Sequence, residues 1–289
     1  WGARALGDKR VVKTTNRFIT VDYAGSANYD FRPDLRLTSS VGVQYYGRQM
    51  SSIEARGADF PAVPITTVSG GADRDAFENF TENVTVGAYV QEQLDWNNRI
   101  FVTAALRADK NSAFGAEYGA AYCPKLSGTW VISESDFWNV DWIDQLRLRS
   151  AWGAAGQQPG TFDASRLYDP GVGFNDQPGL VPGSFGNPQL KPERSEELEY
   201  GFDVSLFGGR VDLVFSHYSR TIKDAIVNRP VPTSTGFSGS QVINLAEVTA
   251  GGNELGIALR VVQGSSFGWD VGAQLATMDS KVQDLGGLA

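Results

Sequence analysis

The stretch from Leu198 to Arg220 constrains the fold more than any other part of the sequence, because apolar and polar side chains alternate along it. A period of two is typical of a β-strand with one apolar face and one polar face. In the middle stands Gly208-Gly209, a pair that can adopt the positive φ values of a tight turn. A turn at these two glycines predicts a hairpin whose apolar pairs are Leu206 with Val211, Val204 with Leu213, Phe202 with Phe215, and Tyr200 with His217.

The same register sorts the polar face of the hairpin, since it places Glu197 opposite Arg220 and Ser205 opposite Asp212. Two environments suit such a hairpin. In a soluble sandwich the apolar face covers a core and the polar face meets water. In an outer-membrane barrel the apolar face meets lipid and the polar face lines a wet lumen.

The rest of the chain repeats this alternation. It predicts further strands within residues 17–28, 35–48, 83–96, 99–109, 119–132, 146–153, 253–263 and 267–277. Short turns are expected around Pro33, at the three residues Asn97 to Arg99, and around Gly264. After the predicted strand 119–132, a helical turn capped by Ser133 or Ser135 is expected. Long polar loops are predicted over residues 49–80, 154–194 and 221–250.

Three features of this arrangement favour a membrane barrel. The predicted strands number about ten and often exceed the roughly five or six residues of globular strands. Short turns alternate with long loops, as in outer-membrane barrels. Aromatic residues lie near strand ends, beside the short turns (Trp96, Phe207, Trp269) and towards the long loops (Tyr45, Tyr200, Tyr218). The pattern therefore predicts an all-β, antiparallel transmembrane β-barrel segment with long extracellular loops, and a soluble all-β domain is the alternative.

Composition narrows the class of protein. A net charge of -8 over 289 residues argues against nucleic-acid binding, because phosphates require Lys and Arg. The single cysteine, Cys123, excludes an internal disulfide framework. No apolar run is long enough for a transmembrane helix. The sequence opens at Trp1 without a signal peptide, so we expect a piece of a longer protein.

Little in the sequence indicates catalysis or metal binding. The only histidine, His217, falls on the apolar face of its strand, where an interfacial role is expected instead of acid-base chemistry. Cys123 has no histidine partner suggested by the sequence. Asp163, Asp169 and Asp176 do not have the spacing of a calcium loop. We expect no enzyme activity, no catalytic residues, no metal and no cofactor.

Several segments carry a resemblance to a known family. They are Leu106–Asp109 with Phe114-Gly115, Tyr122–Ser127 leading to Trp130, Ser133–Phe137, Leu146–Gly153, Gly156–Gln158, Gly186–Glu193, and Asn244–Val248 with Gly252–Leu255. In this order and spacing they resemble the barrel portion of TonB-dependent outer-membrane transporters. Within that family, the chain resembles the SusC/RagA-like group.

The resemblance implies that residues 1–289 are a partial β-barrel domain, about ten strands of a 22-strand type of barrel whose plug lies elsewhere. It implies a Gram-negative outer membrane, surrounding lipid, energy from the TonB complex through a missing N-terminal region, and a SusD-like lipoprotein partner. The expected function is active import of oligosaccharides or peptides. A non-transporting structural or interaction barrel and a passive porin are the alternatives.

For such a transporter, the sequence offers four candidate substrate-binding residues in the loop 154–194, namely Phe162, Tyr168, Phe174 and Phe185. Their rings could stack on sugar rings or peptide side chains, or they could pack the loop onto itself. The charged residues Glu197, Glu199, Arg220 and Arg147 are expected to face the lumen and to pair across strands.

Overall fold

The computed structural model describes residues 7–62, 64–237 and 239–284, and within them the main element is a ten-stranded sheet. Its strands follow one another in the order β1, β2, β3, β4, β5, β6, β9, β10, β11, β12, while β7 and β8 form a separate hairpin. The strands are β1 (Asp8–Arg32), β2 (Leu35–Ala58), β3 (Asp73–Trp96), β4 (Ile100–Asn111), β5 (Ala121–Val131), β6 (Ile143–Gln157), β7 (Tyr168–Val172), β8 (Pro178–Pro182), β9 (Glu193–Leu206), β10 (Val211–Pro230), β11 (Ser240–Gln263) and β12 (Gly268–Asp284).

The β9–β10 hairpin has the predicted register. Leu206 pairs with Val211, Phe202 with Phe215, and each intervening pair also follows the prediction. The turn itself is longer than predicted, because residues 207–210 are all outside the strands and the Arg210 amide donates to the carbonyl of Leu206 at 3.0 Å. Phe207 adopts φ 58° and both glycines also have positive φ. The register survives because a four-residue turn centred on the same glycines keeps the same pairs opposite.

The other short connections also follow the prediction. Pro33 and Asp34 alone separate β1 from β2, and residues 97–99 separate β3 from β4. In the second turn Asn97 and Asn98 have φ values of 59° and 53°, which asparagine tolerates better than most residues. Residues 264–267 connect β11 with β12.

Two of the predicted long loops are mostly strand. The predicted loop 49–80 shrinks to residues 59–72, and the predicted loop 221–250 shrinks to residues 231–239, because β2, β3, β10 and β11 continue through polar sequence. Backbone hydrogen bonds between neighbouring strands do not require alternating side chains. Where both faces of a sheet meet water, alternation disappears but pairing persists.

The remaining predicted loop is real, with internal structure that the sequence did not indicate. β6 ends at Gln157 and β9 begins at Glu193, and the connection contains the β7–β8 hairpin. The predicted helical turn after β5 is a 3₁₀ turn over Ile132–Glu134. The predicted caps are wrong: no side chain caps this turn, the Ser133 hydroxyl is buried without a partner, and Ser135 follows the turn.

The chain divides into two compact units. The first contains described residues 7–21 and 44–86, and is held by cross-strand pairs such as Arg56 with Asp8 and Gln49 with Glu82. In the same unit the Arg48 guanidinium lies 5.8 Å from the ring centroid of Phe18. The second unit contains described residues 22–43 and 87–284.

The apolar face of β9 extends over nine residues, from Leu198 to Leu206. Its side chains are exposed or half-buried, and among the described residues no second sheet or helix packs over them. Beyond Leu198, the same face carries Glu196 and Arg194, which form an ion pair at 2.8 Å. A span of nine residues matches a transmembrane β-strand, which needs about 9–11 residues. Within the described chain, no helix has the length and apolar character to cross a membrane.

Candidate functional site

The loop 158–192 and the loop 231–239 meet at an aromatic cluster, defined here as Tyr168, Phe185, Phe237 and Arg166. The Phe185 ring lies edge-on to Phe237 at 5.3 Å between centroids, and Tyr168 lies 5.8 Å from Phe237. The Arg166 guanidinium lies over both Phe185 and Phe237, at 5.0 and 5.5 Å. Phe237 is 7% exposed and therefore forms the centre of this cluster. Two of the four predicted aromatics thus pack the loops together.

The other two predicted aromatics lie outside the cluster. Phe174 sits in the 3₁₀ turn at the tip of the β7–β8 hairpin and is 88% exposed. Phe162 lies in a turn near the start of the loop and is also exposed. The structure therefore brings Tyr168 and Phe185 together through Phe237, while Phe162 and Phe174 have exposed rings outside the cluster.

Sequence reasoning missed Phe237 and Arg166. Phe237 lies in the Gly- and Ser-rich sequence TSTGFSGS, where a lone aromatic residue is the only signal that the loop packs against something. Arg166 is the only basic residue in the loop between Gln158 and Leu190. Neither signal identifies the partner, because the two loops are far apart in sequence.

Residues 186–193, called here the anchor segment, fix the second half of the long loop to the sheet. Leu190 is fully buried, the largest described side chain to be so. The Asn187 side-chain amide donates to the Val242 carbonyl at 3.0 Å. Asn244 bonds both ways with Lys191, accepting from its amide at 2.8 Å and donating to its carbonyl at 2.9 Å. Side-chain hydrogen bonds of Asn187 and Asn244 therefore fasten the anchor segment to the outer part of β11.

The anchor segment also holds the connection between β4 and β5. The Gly115 amide donates to the Leu190 carbonyl at 2.9 Å. A Cβ atom added at Gly115 would lie 2.2 Å from the Pro188 carbonyl oxygen, so only glycine fits here. The Asn111 amide of β4 donates to Gln158 at the start of the long loop. The connection between β4 and β5 and the long loop between β6 and β9 are thus tied together at one end of the sheet.

The polar face of β6, β9 and β10 carries a charge network centred on Arg149. Its guanidinium binds Glu199 at 2.5 Å, the Ser216 hydroxyl at 2.5 Å and Asp203 at 3.3 Å. Arg147 binds the second oxygen of Asp203 at 2.9 Å. Each bond joins different strands, and the groups are half-buried. The network therefore makes a continuous wall across three strands.

The predicted cross-strand pairing of charged residues is confirmed. Arg220 donates to Glu197 at 2.6 Å, as the hairpin register requires. Glu199 and Arg147 are paired as well, although with Arg149 and Asp203, which lie on the same polar face. Ser205 donates to Asp212 at 2.7 Å, completing the predicted polar pairs.

At the opposite end of the sheet, Arg99 in the β3–β4 turn binds Asp136 at 2.8 Å. Because the guanidinium donates a hydrogen bond to the carboxylate, it holds the pKa of Asp136 below its ordinary value. The pair joins the start of β4 to the connection that follows β5, and Asp136 stays ionised into the acid range.

The residues considered for catalysis or metal binding have ordinary surroundings. The His217 ring lies 5.0 Å from the Tyr200 ring, and its Nδ1 is 2.9 Å from Asn253 Oδ1. Cys123 is a free, half-buried thiol. Asp163 accepts from the Gly160 amide at 2.7 Å within its own loop. Across the described ranges, no group of three or more His, Cys, Asp or Glu side chains is arranged to hold a metal ion.

Comparisons with a family model and with related sequences identify the same protein family. Residues 2–288 match the TonB dependent receptor-like, beta-barrel family. The chain is 30% identical over 207 residues to TonB-dependent receptor P39 of Formosa agariphila, covering 71% of this chain and 20% of that protein. It is 25% identical over 220 residues to TonB-dependent receptor SusC of Bacteroides thetaiotaomicron, covering 72% of this chain and 22% of that protein. The chain thus spans about a fifth of the length of these relatives.

Solved structures give the same fold. The RagAB peptide transporter superimposes with a TM-score of 0.90 at 19% identity, covering 98% of this chain and 32% of that chain. The copper transporter OprC gives a TM-score of 0.60 at 17% identity, covering 94% and 38%. At these identities the likeness concerns the fold alone.

Proposed function

Because the chain belongs to the TonB-dependent receptor β-barrel family, we propose that it is part of an active outer-membrane transporter that imports oligosaccharides or peptides. The family is an outer-membrane family of receptors and transporters, and the SusC and RagAB relatives suggest nutrient import. The short turns would then face the periplasm and the anchored loops would face outward.

The observation that carries the proposal is the sorting of the β9–β10 hairpin into two faces. The apolar face lies uncovered over a span of nine residues, while the other face carries a charge network that bridges three strands. A lipid-facing exterior and a wet interior require this combination, and a soluble sandwich would cover the apolar side.

For substrate contact we propose different roles for the four loop aromatics. Phe162 and Phe174 are exposed and free to stack on a sugar ring or a peptide side chain. Tyr168 and Phe185 pack with Phe237, so their role is to position the loop that carries the other two. The exposed hairpin β7–β8 thus presents Phe174 at its tip.

We further propose the partners of the family for the full-length protein. A SusD-like surface lipoprotein would meet the end of the barrel with the long loops, and a TonB complex would supply energy from the periplasmic side. RagAB, a structural neighbour, is a peptide transporter, which supports the peptide alternative for the substrate. The family as a whole does not select between peptides and oligosaccharides.

Uptake by the full-length protein tests the proposal. Cells that carry it in their outer membrane, with and without a functional TonB complex, are given fluorescent peptide or oligosaccharide mixtures. Uptake that needs both the protein and TonB supports active import. Uptake that needs the protein but not TonB indicates a passive porin, and no uptake in any mixture indicates a structural barrel.

The loop variants Phe174→Ala and Leu180→Ala sharpen this test. Both side chains are exposed in the β7–β8 hairpin, at 88% and 72%, but only Phe174 offers an aromatic ring. Phe174→Ala should raise the substrate concentration for half-maximal uptake several-fold, by losing stacking worth about 1 kcal/mol. Leu180→Ala should leave it unchanged. Equal behaviour of the two variants would remove Phe174 from the substrate site.

A further inference from the structure

A groove of about 620 Å³ lies on the apolar face of the sheet, across β4, β5, β6, β9 and β10. Its floor includes Gly128 and Ser150, two small residues that pair with each other between β5 and β6. The surrounding walls are large and apolar, and include Val102, Trp130, Leu148, Tyr200, Phe202 and Phe215. The groove exists because two small residues meet in the middle of a bulky apolar surface.

The groove offers almost no polar group to a ligand. The Ser150 hydroxyl donates to the Glu199 carbonyl at 3.1 Å and is therefore already satisfied. The backbone of β5 and β6 is paired on both sides of Gly128. Water in this groove would find few partners, whereas an alkyl chain would gain contact with aromatic and aliphatic walls.

Aromatic side chains mark where the groove lies relative to the short connections. Trp130 donates from its ring nitrogen to Ser135 at 3.3 Å and its ring lies 6.3 Å from Phe137. Nearby, Trp142 stacks on Phe207 at 5.9 Å. Aromatic rings with a polar edge collect at the boundary between lipid and water. Gly128 lies two residues farther from the short connections than Trp130, which is about 7 Å along a strand.

We propose that this groove binds one acyl chain of a phospholipid from the leaflet nearest the short turns. The groove is continuous with the apolar face and opens on the hydrocarbon side of the aromatic residues, so the occupant is a membrane lipid. The proposal rests on the proposed function, because the membrane is the source of that lipid. It adds a specific, retained lipid to a surface otherwise covered by exchanging ones.

Gly128→Leu fills the groove and tests the proposal directly. A Cβ atom at Gly128 would meet nothing nearer than the Phe101 carbonyl oxygen at 4.0 Å, so the strand can accept the side chain. Ala104→Leu is the matched control, because Ala104 is exposed on the same face of β4, paired with Leu126 and outside the groove. Both variants are made in the full-length protein and purified from outer membranes.

Native mass spectrometry then counts the phospholipids that remain bound after detergent exchange. Wild type and Ala104→Leu should retain one phospholipid that Gly128→Leu loses. Equal retention by all three proteins would overturn the proposal. If the molecule that wild type retains and Gly128→Leu loses is not a lipid, the proposal is overturned too.

A second readout separates this proposal from the proposed function. The proteins are placed in vesicles of phosphatidylethanolamine and phosphatidylglycerol with brominated acyl chains, which quench tryptophan fluorescence, and Trp130→Phe isolates the contribution of Trp130. Gly128→Leu should reduce the quenching of Trp130, and Ala104→Leu should not. If Trp130 is quenched equally in all proteins, the proposal of a bound acyl chain in the groove is contradicted, while the membrane location is not. Absence of quenching at every tryptophan contradicts the membrane location itself, and with it the groove.

Discussion

The strands β9 and β10 behave differently on the two sides of Leu198. Between Leu198 and the turn, apolar residues fill one face and charge pairs fill the other. Beyond Leu198, the continuation of the apolar face carries charged residues. Glu196 binds Arg194 at 2.8 Å and Lys223 at 3.8 Å there. The pairing of the backbones continues without change across this boundary.

This difference separates the cause of strand formation from the cause of the alternation between apolar and polar side chains. The strand itself needs only its backbone hydrogen bonds, whereas alternation requires a different medium on each face. With the proposed membrane location, the region from Leu198 to the turn has lipid on one side, and the region beyond it has water on both. The outer region is held instead by loops, through the anchor segment and the aromatic cluster.

The largest expected effect concerns the outer region. Leu190→Ala removes the fully buried side chain of the anchor segment and should lower the free energy of local unfolding there by about 2–5 kcal/mol. Hydrogen exchange should accelerate in residues 112–120, 158–192 and 240–250, and remain unchanged in residues 198–206. Leu180→Ala, in the same loop but exposed, is the control. Faster exchange throughout β9 would mean that the two regions are not separate.

The next effect concerns the region that we propose to face lipid. Val204→Lys places a charge on the apolar face and should destabilise the folded protein in lipid by about 2 kcal/mol, since a lysine costs most near the bilayer centre and less towards the interface. Val214→Lys puts the same charge on the polar face of the same hairpin, opposite Asp203. Thr221→Lys puts it on the apolar side but in the outer region, opposite Glu196.

Denaturant-induced unfolding in lipid vesicles measures the three lysine variants. Val214→Lys and Thr221→Lys should stay within about 0.5 kcal/mol of wild type, as surface substitutions usually do. A cost for Thr221→Lys as large as that for Val204→Lys would extend the lipid boundary beyond Leu198. Equal costs for Val204→Lys and Val214→Lys would remove the distinction between the faces.

The smallest expected effect is the loss of stability when a charge pair is broken, compared between the two regions. Arg149→Ala leaves Glu199, Asp203 and Ser216 without a shared partner on a half-buried wall, and should cost about 1–2 kcal/mol. Arg194→Ala breaks a single pair within one strand in the outer region and should cost about 0.5 kcal/mol or less. The same unfolding measurement checks both, and a reversed order would contradict the wall formed by Arg149.

The sequence predicted the part of the fold where the medium imposes a pattern. The register of β9 with β10, the turn at Asn97 to Arg99 and the ten long strands all follow from alternation and turn residues. The outer parts of β2, β3, β10 and β11 were missed because alternation is absent from them. Their polar residues resemble loop sequence when only side chains are considered.

The candidate site was less predictable for a related reason. Aromatic residues in the long loop could be identified from the sequence, but whether each packs or stays free depends on contacts with Phe237, which is distant along the chain. The β7–β8 hairpin contains three prolines and three glycines, which usually argue against a strand. The anchor segment was identified only as a family resemblance, and its physical role became visible through Leu190 and Asn187.

Spin-label accessibility along β9 tests the central claim most directly. Single nitroxide labels are placed at each position from 194 to 205 of the full-length protein in lipid, with Cys123→Ser as background. From 198 onwards, collision with oxygen should peak at even-numbered positions, where collision with a water-soluble nickel chelate should be lowest, and this alternation should vanish at 194–197. Even-numbered positions sheltered from both reagents would show a protein layer over the face from Leu198 to Leu206, and would contradict a lipid-facing wall.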